Sequence, residues 1–148
     1  MLNNDIQRIK GDVAKDERGQ IRFVNGFDMS AVKRFYIIRN SDIELIRGWR
    51  GHRIEQRWFY VLSGGFEFNI VKIDNWDIPA KNLLVNKIIV KAEGLHVLHI
   101  PAGYATAIRA IEPHAELLVY GDYGIEHAPQ DDFTWELDYF MDLKTLKL

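Results

Sequence analysis

The strongest constraint on this chain is its punctuation. Short runs rich in β-branched and aromatic residues are each closed by glycine, asparagine, aspartate or proline, the mark of strands separated by turns. The runs Ile21–Val24, Lys33–Ile38, Arg57–Leu62, Phe66–Ile73, Lys87–Val90, Val97–Ile100, Ala105–Ile111 and Glu116–Tyr120 predict strands. Ser63-Gly64-Gly65 predicts a tight hairpin and Pro101-Ala102-Gly103 a second turn. The Asp74–Val85 stretch, with Trp76 and Pro79, predicts a long hairpin connection, and Tyr139–Leu148 either a short helix or a last strand. No strong helical period competes with this pattern, so the expectation is an all-β barrel or sandwich. A chain of 148 residues suits one domain with a sizeable core.

One segment does not read as plain scaffold. Arg47 to Arg57 holds four arginines and one histidine in eleven residues, with Glu55 the only acid. That much like charge in one place calls for an anion. The chain as a whole carries a net charge of -2, which argues against a general nucleic-acid binder. A local basic patch on a mildly acidic chain suits a small phosphorylated ligand. There is no cysteine, so disulfides and thiolate metal sites are excluded. The start, Met1-Leu2-Asn3-Asn4-Asp5, is polar, and no apolar run reaches the 18 or so residues of a membrane span. The expectation is a cytoplasmic protein that uses neither membrane nor nucleic acid.

The order of motifs resembles the cupins. Arg50-Gly51-His52, then Gln56 or Arg57, then Gly64 lie where that family carries His-x-His, an acid and a hairpin glycine. Pro101-Ala102-Gly103-Tyr104-Ala105-Thr106 lies where it carries Pro-x-Gly-x-x-His. Of the four metal-ligand positions only His52 is kept, and one imidazole does not make a metal site. The chain is similar instead to metal-free cupins, the epimerases and ketoisomerases of dTDP-4-keto-6-deoxy sugars. The matching text is Lys33-Arg34-Phe35-Tyr36-Ile37, Arg47-Gly48-Trp49-Arg50-Gly51-His52, Glu55-Gln56, Ile100–Tyr104 and Leu117–Tyr123. The resemblance implies a cupin-type double-stranded β-helix, or jelly-roll barrel, that forms a homodimer and acts on a nucleotide-linked sugar in polysaccharide synthesis. It also implies no cofactor, because the sugar ketone itself acidifies the neighbouring C–H bond.

Residue by residue, the likeness is uneven. Where the 3,5-epimerases carry their histidine base, three residues after the arginine of Arg-Gly, this chain has Arg50. Their catalytic tyrosine falls at Val119, and Tyr120 beside it belongs to the opposite strand face. Of the ketoisomerase pair His-x-His the chain keeps His52, and the ketoisomerase tyrosine corresponds to Tyr36. His52 is therefore the candidate base or else a hydrogen-bonded structural histidine. Nearby arginines favour its neutral form. Arg50 shares parity with His52 and is expected inside the barrel, on a diphosphate or enolate, or in a salt bridge to Glu55 or Glu67. Tyr36 is either the second proton donor or core filler.

The substrate-binding candidates are Arg34, Arg47, Trp49, Tyr104 and Tyr123, with the aromatics equally suited to core or interface packing. Arg53 and Arg57 are expected in solvent or against a partner, and Arg109 as outward surface charge. His96, His99, His114 and His127 carry no functional signal. The expected activity is proton transfer beside a sugar ketone, with His52 removing the proton, Tyr36 or water returning one, and Arg50 with Arg47 holding negative charge. The alternative from another class is a cupin that binds a sugar nucleotide as a sensor without turning it over.

Overall fold

The computed structural model describes residues 5–141. Among them, β1 (Gln7–Lys10), β2 (Asp12–Asp16), β3 (Gly19–Phe23), β4 (Arg34–Ile38), β5 (Ile46–His52) and β6 (Arg57–Ser63) come first. They are followed by β7 (Gly65–Lys72), β8 (Val85–Lys91), β9 (His96–Ile100), β10 (Tyr104–Ala110), β11 (Glu116–Gly121) and the short β12 (Phe133–Thr134). One sheet has the order β1-β9-β6-β11-β4 and the other β12-β5-β10-β7-β8, with β2 and β3 as a separate hairpin. Every pairing is antiparallel. This is the expected all-β, cupin-type jelly roll.

Alternation along the strands builds the core. Phe66, Phe68 and Ile70 of β7 meet Phe59 and Val61 of β6, Leu98 of β9, and Leu117 and Val119 of β11 between the two sheets. The rings of Phe59 and Phe68 touch edge to face, 5.1 Å apart. Each such fully buried side chain contributes about 1.5–3 kcal/mol of apolar burial. β10 is buried at every residue because a second cluster covers its other face. There Trp49, Ala105, Ala107, Val71 and Phe140 pack with the half-buried Trp76, Trp135 and Tyr139.

The eight expected strands all form, with shifted ends. Gly64, at φ 68, makes the hairpin between β6 and β7, and residues 74–84 are the long connection before β8. β1, β2, β5 and β12 were not legible as strands. β5 is the arginine segment itself, and its two glycines, Gly48 and Gly51, are weak strand formers. Residues 139–141 form neither helix nor strand, and the rest of the expected last element lies outside the described residues.

β5 carries the feature that arranges the site. It pairs His52 with Tyr104 and Arg50 with Thr106, but Arg47, not Gly48, with Ile108. The extra residue is a β-bulge, and it brings Arg47 to the same face as Arg50 and His52 although simple alternation would oppose it. A side chain at the bulge is not tolerated. A Cβ on Gly48 would lie 2.5 Å from Ala107 Cα and 2.7 Å from Thr106 O. Gly48→Ala is expected to cost about 1–3 kcal/mol through backbone displacement. Urea unfolding reads this as a lowered midpoint at unchanged m, and an unchanged midpoint would show that β5 can move away freely.

Candidate active site

A cavity of about 910 Å³ opens among residues of β4, β5, β6 and β10 and of the segment from Tyr123 to Thr134. It is lined by five arginines, Arg34, Arg39, Arg47, Arg50 and Arg57, together with Tyr36, His52, Glu55, Thr106 and Tyr123. Its volume lies at the upper end for small-molecule sites, room for a nucleotide-sized ligand.

His52 lines the cavity with a side chain 13% exposed. Its Nδ1 lies 2.8 Å from the carbonyl oxygen of Asp131. A carbonyl only accepts, so Nδ1 carries the hydrogen and the lone pair of the neutral ring is on Nε2. Burial first, and then the charge of Arg57, pull the His52 pKa down from 6.5 to about 3, with Arg50 and Arg34 adding to the shift against the raising effect of the Asp131 bond. The imidazole of the open site is thus a neutral proton acceptor at every physiological pH.

Asp131 holds this geometry. Its buried carboxylate accepts the backbone N–H groups of Arg53 at 2.6 Å, Ile54 at 3.0 Å and Glu55 at 2.7 Å. Those bonds pin the turn that follows β5, while the same residue's carbonyl orients the ring. The buried Glu55 lies across the turn, with Oε1 3.3 Å from Arg34 Nη2 and Oε2 3.7 Å from His52 Nδ1.

Arg57 is one of the residues that sequence reasoning misplaced. It is not solvated; it is 6% exposed and lines the cavity. Its Nη2 donates to Thr106 Oγ1 at 3.1 Å, and its guanidinium lies 5.1 Å from the centre of the Phe59 ring. No carboxylate forms an ion pair with it among the described residues. Its parity with Phe59 and Val61 was a signal, but Trp58, Tyr60 and Leu62 make the opposite face equally apolar, so the pattern did not choose.

The other candidates divide. Arg34 and Tyr36 line the cavity together, the guanidinium of Arg34 5.1 Å from the Tyr36 ring centre. Arg34 Nε is buried with no hydrogen-bond partner among the described residues. Arg47 lines the cavity from the bulge, its Nε donating to Asn40 Oδ1 at 2.7 Å. Tyr123 lines it from the segment after β11.

Arg50 shares the cavity but not the interior. Its side chain is 58% exposed, and it pairs at the mouth with Asp132 at 3.1 Å instead of with Glu55 or Glu67. The ring of Trp49 is buried in the second cluster, its Nε1–H donating to the Leu137 carbonyl at 2.9 Å, and it cannot stack on a ligand. Tyr104 is buried in the core between the sheets, outside the cavity lining.

Arg109 does face away from the core, as its parity requires, but it is buried against Glu67, with Nε 2.9 Å from the carboxylate. Val119 fills the core, and Tyr120 turns to the other face against Phe27. His99 stacks on Trp58 with ring centres 4.8 Å apart and plays no part in the cavity. Among the described residues, no three histidine, aspartate or glutamate side chains converge as a metal site. No helix among them is long and apolar enough to cross a membrane.

Comparison with solved structures decides the fold. A histidine-to-asparagine variant of a 3,4-ketoisomerase from Thermoanaerobacterium thermosaccharolyticum, in complex with TDP-4-keto-6-deoxyglucose, superposes with a TM-score of 0.69 at 19% identity, covering 95% of this chain and 94% of that one. The TDP-quinovose 3,4-ketoisomerase of Campylobacter jejuni gives 0.69 at 17% identity over 93% and 98% of the two chains. The fold is that of the sugar-nucleotide ketoisomerases and epimerases. A dTDP-4-dehydrorhamnose 3,5-epimerase from Bacillus anthracis with TDP and PPi bound matches this same fold with a TM-score of 0.71 at 16% identity, over 90% and 80% of the chains. No family model matches the chain, and no curated protein sequence does.

Proposed function

We propose that this protein isomerises a nucleotide-linked 4-keto-6-deoxy sugar by metal-independent proton transfer. The observation that carries the reading is the neutral His52 inside an arginine-lined cavity, its lone pair fixed on Nε2 by the Asp131 carbonyl. The likeness of fold to ketoisomerases crystallised with TDP or a TDP-keto sugar supports it.

In this reading Arg47, Arg39 and Arg34 take the diphosphate and the adjoining sugar. His52 Nε2 removes the proton α to the ketone, and the electron pair of that bond moves onto the ketone oxygen. Arg57, held by Thr106, stabilises the oxyanion as it forms, because a fixed cation in a water-poor site needs no reorganisation. Tyr36 returns a proton to carbon, and solvent resets both groups. Arg50, at the mouth, contributes charge to binding and no step to the chemistry. Binding of the anionic substrate offsets the arginine charges and raises the His52 pKa toward a useful value.

Proton NMR in D2O with dTDP-4-keto-6-deoxyglucose tests this directly. Loss of the sugar C3 proton signal is the expected result. Broadening of substrate signals with no exchange would favour a sensor that binds without turnover, the reading to which Arg50 in the epimerase base position points.

The reading includes a cytoplasmic homodimer serving polysaccharide synthesis, as the sequence resemblance implies. Support for the dimer comes from β4, an edge strand whose outward Phe35 and Ile37 are 65% and 52% exposed. In sedimentation equilibrium the unaltered chain is expected as a dimer and Phe35→Arg as a monomer. A monomeric unaltered chain would remove the dimer from the proposal.

A further inference from the structure

Glu55 is a buried carboxyl group that the mechanism above leaves idle. It is 4% exposed and lines the same cavity as His52 and Arg57. The fold makes room for it. A Cβ on Gly121 would lie 2.7 Å from Glu55 Oε1, so the glycine at the end of β11 leaves the carboxyl group its present position.

Its two oxygens differ. Oε1 accepts from Arg34 Nη2, whereas Oε2 makes no hydrogen bond among the described residues. His52 Nδ1 lies 3.7 Å from Oε2, beyond hydrogen-bond reach, and commits its hydrogen to Asp131. The other acids of the cavity are occupied. The Asp131 carboxylate is spent on backbone N–H groups, and Asp132 faces Arg50 at the mouth.

Moving a ketone to the neighbouring carbon needs more than a base on carbon. One oxygen of the enediolate must gain a proton and the other must lose one. A carboxylic acid does both with one group, giving from one oxygen and accepting on the other. Resting on the reading of His52 as base, we infer that Glu55 is the oxygen-to-oxygen proton shuttle that makes this site a ketoisomerase and not an epimerase.

The step balances. His52 takes the C3 proton and the C–H pair forms C3=C4, while the C4 carbonyl oxygen receives the proton of the Glu55 carboxylic acid. The Glu55 carboxylate then takes the proton of the C3 hydroxyl. The O–H pair forms the C3 carbonyl, the C3=C4 pair takes a proton at C4 from Tyr36, and solvent then resupplies Tyr36 and removes the proton held by His52. Glu55 ends as it began, and no oxidant or reductant is consumed. Burial favours the protonated starting form by raising the Glu55 pKa, against the opposing charges of Arg34 and Arg57.

The test measures two rates on one sample, C3 proton exchange and appearance of the 3-keto isomer, with dTDP-4-keto-6-deoxyglucose in D2O. Glu55→Gln keeps the shape and can still accept from Arg34. It is expected to slow isomer formation about 100-fold or more while exchange falls less than about tenfold. Equal loss of both rates, or no loss of isomer formation, overturns the shuttle.

A second measurement needs no variant. Charged and titratable groups face Glu55 from every side: Arg34 of β4, His52 of β5, Arg57 of β6, Asp122 after β11, and Asp131. His52 removes the C3 proton in both measured events, so its titration cancels from their ratio. The isomer-to-exchange ratio of the unaltered protein is therefore expected to fall as pH rises and Glu55 ionises. A ratio constant from about pH 5 to 9 overturns the shuttle. Exchange without any 3-keto isomer overturns it too, yet leaves His52 as a base. Absence of exchange in the unaltered protein overturns the parent reading and the shuttle with it.

Discussion

His52→Asn is expected to slow C3 proton exchange by about 10³-fold or more, since a positioned general base contributes on the order of 10²–10⁴. The loss falls on catalysis. dTDP, which lacks the reacting sugar, is expected to bind the variant within about threefold of the unaltered protein. The asparagine amide can donate to the Asp131 carbonyl as the imidazole does, so the pinned turn after β5 survives. NMR exchange and calorimetric titration with dTDP read the two quantities separately. Exchange retained within about tenfold would remove His52 from the mechanism.

The same residue leaves a mark on stability. With a folded pKa of about 3 against an ordinary 6.5, His52 stays neutral in the fold but charges in the unfolded chain. Its contribution is therefore whole above pH 6.5 and lost progressively as pH falls toward 3. Urea unfolding at several pH values should show a shallower decline over that window in His52→Asn.

Arg57→Met is expected to cost about 10²–10³-fold in turnover, the usual loss when one oxyanion partner is removed. Methionine fills the space beside Phe59 without charge, so the core strands on either side are retained. A second reading comes from His52. Arg57 is the largest charge holding its pKa down, and removing it is expected to move the imidazole titration upward from about 3, which NMR of the ring protons follows directly. Turnover lost with no movement of that titration would mean that Arg57 does not act electrostatically beside the base. Full turnover in the variant would return Arg57 to a structural role as the donor to Thr106.

Strand number and face were legible where one side of a strand is plainly apolar, as with Phe66, Phe68 and Ile70 against Glu67 and Asn69. The cluster from Arg47 to Arg57 announced an anion site for the reason that like charges are costly to gather without one. Those are local facts, decided by side-chain chemistry and a period of two. Which arginines enter the cavity was not local.

Arg47 reaches it because a bulge at Gly48 and Trp49 reverses the alternation, and that bulge exists only against β10. Arg57 faces inward because β6 packs by its Phe59 face, a choice between two apolar faces made by the opposing sheet. Arg109 faces outward, but Trp135, Tyr139 and Phe140 help to close the outer face of that sheet, so outward did not mean exposed. The tautomer of His52 depends on a carbonyl 79 residues away in sequence. The amino-acid sequence by itself determined the sheet class and the basic charge gathered from Arg47 to Arg57. Tertiary structure decided which charges face the cavity and which nitrogen carries the lone pair, because both depend on pairings between segments far apart in the chain.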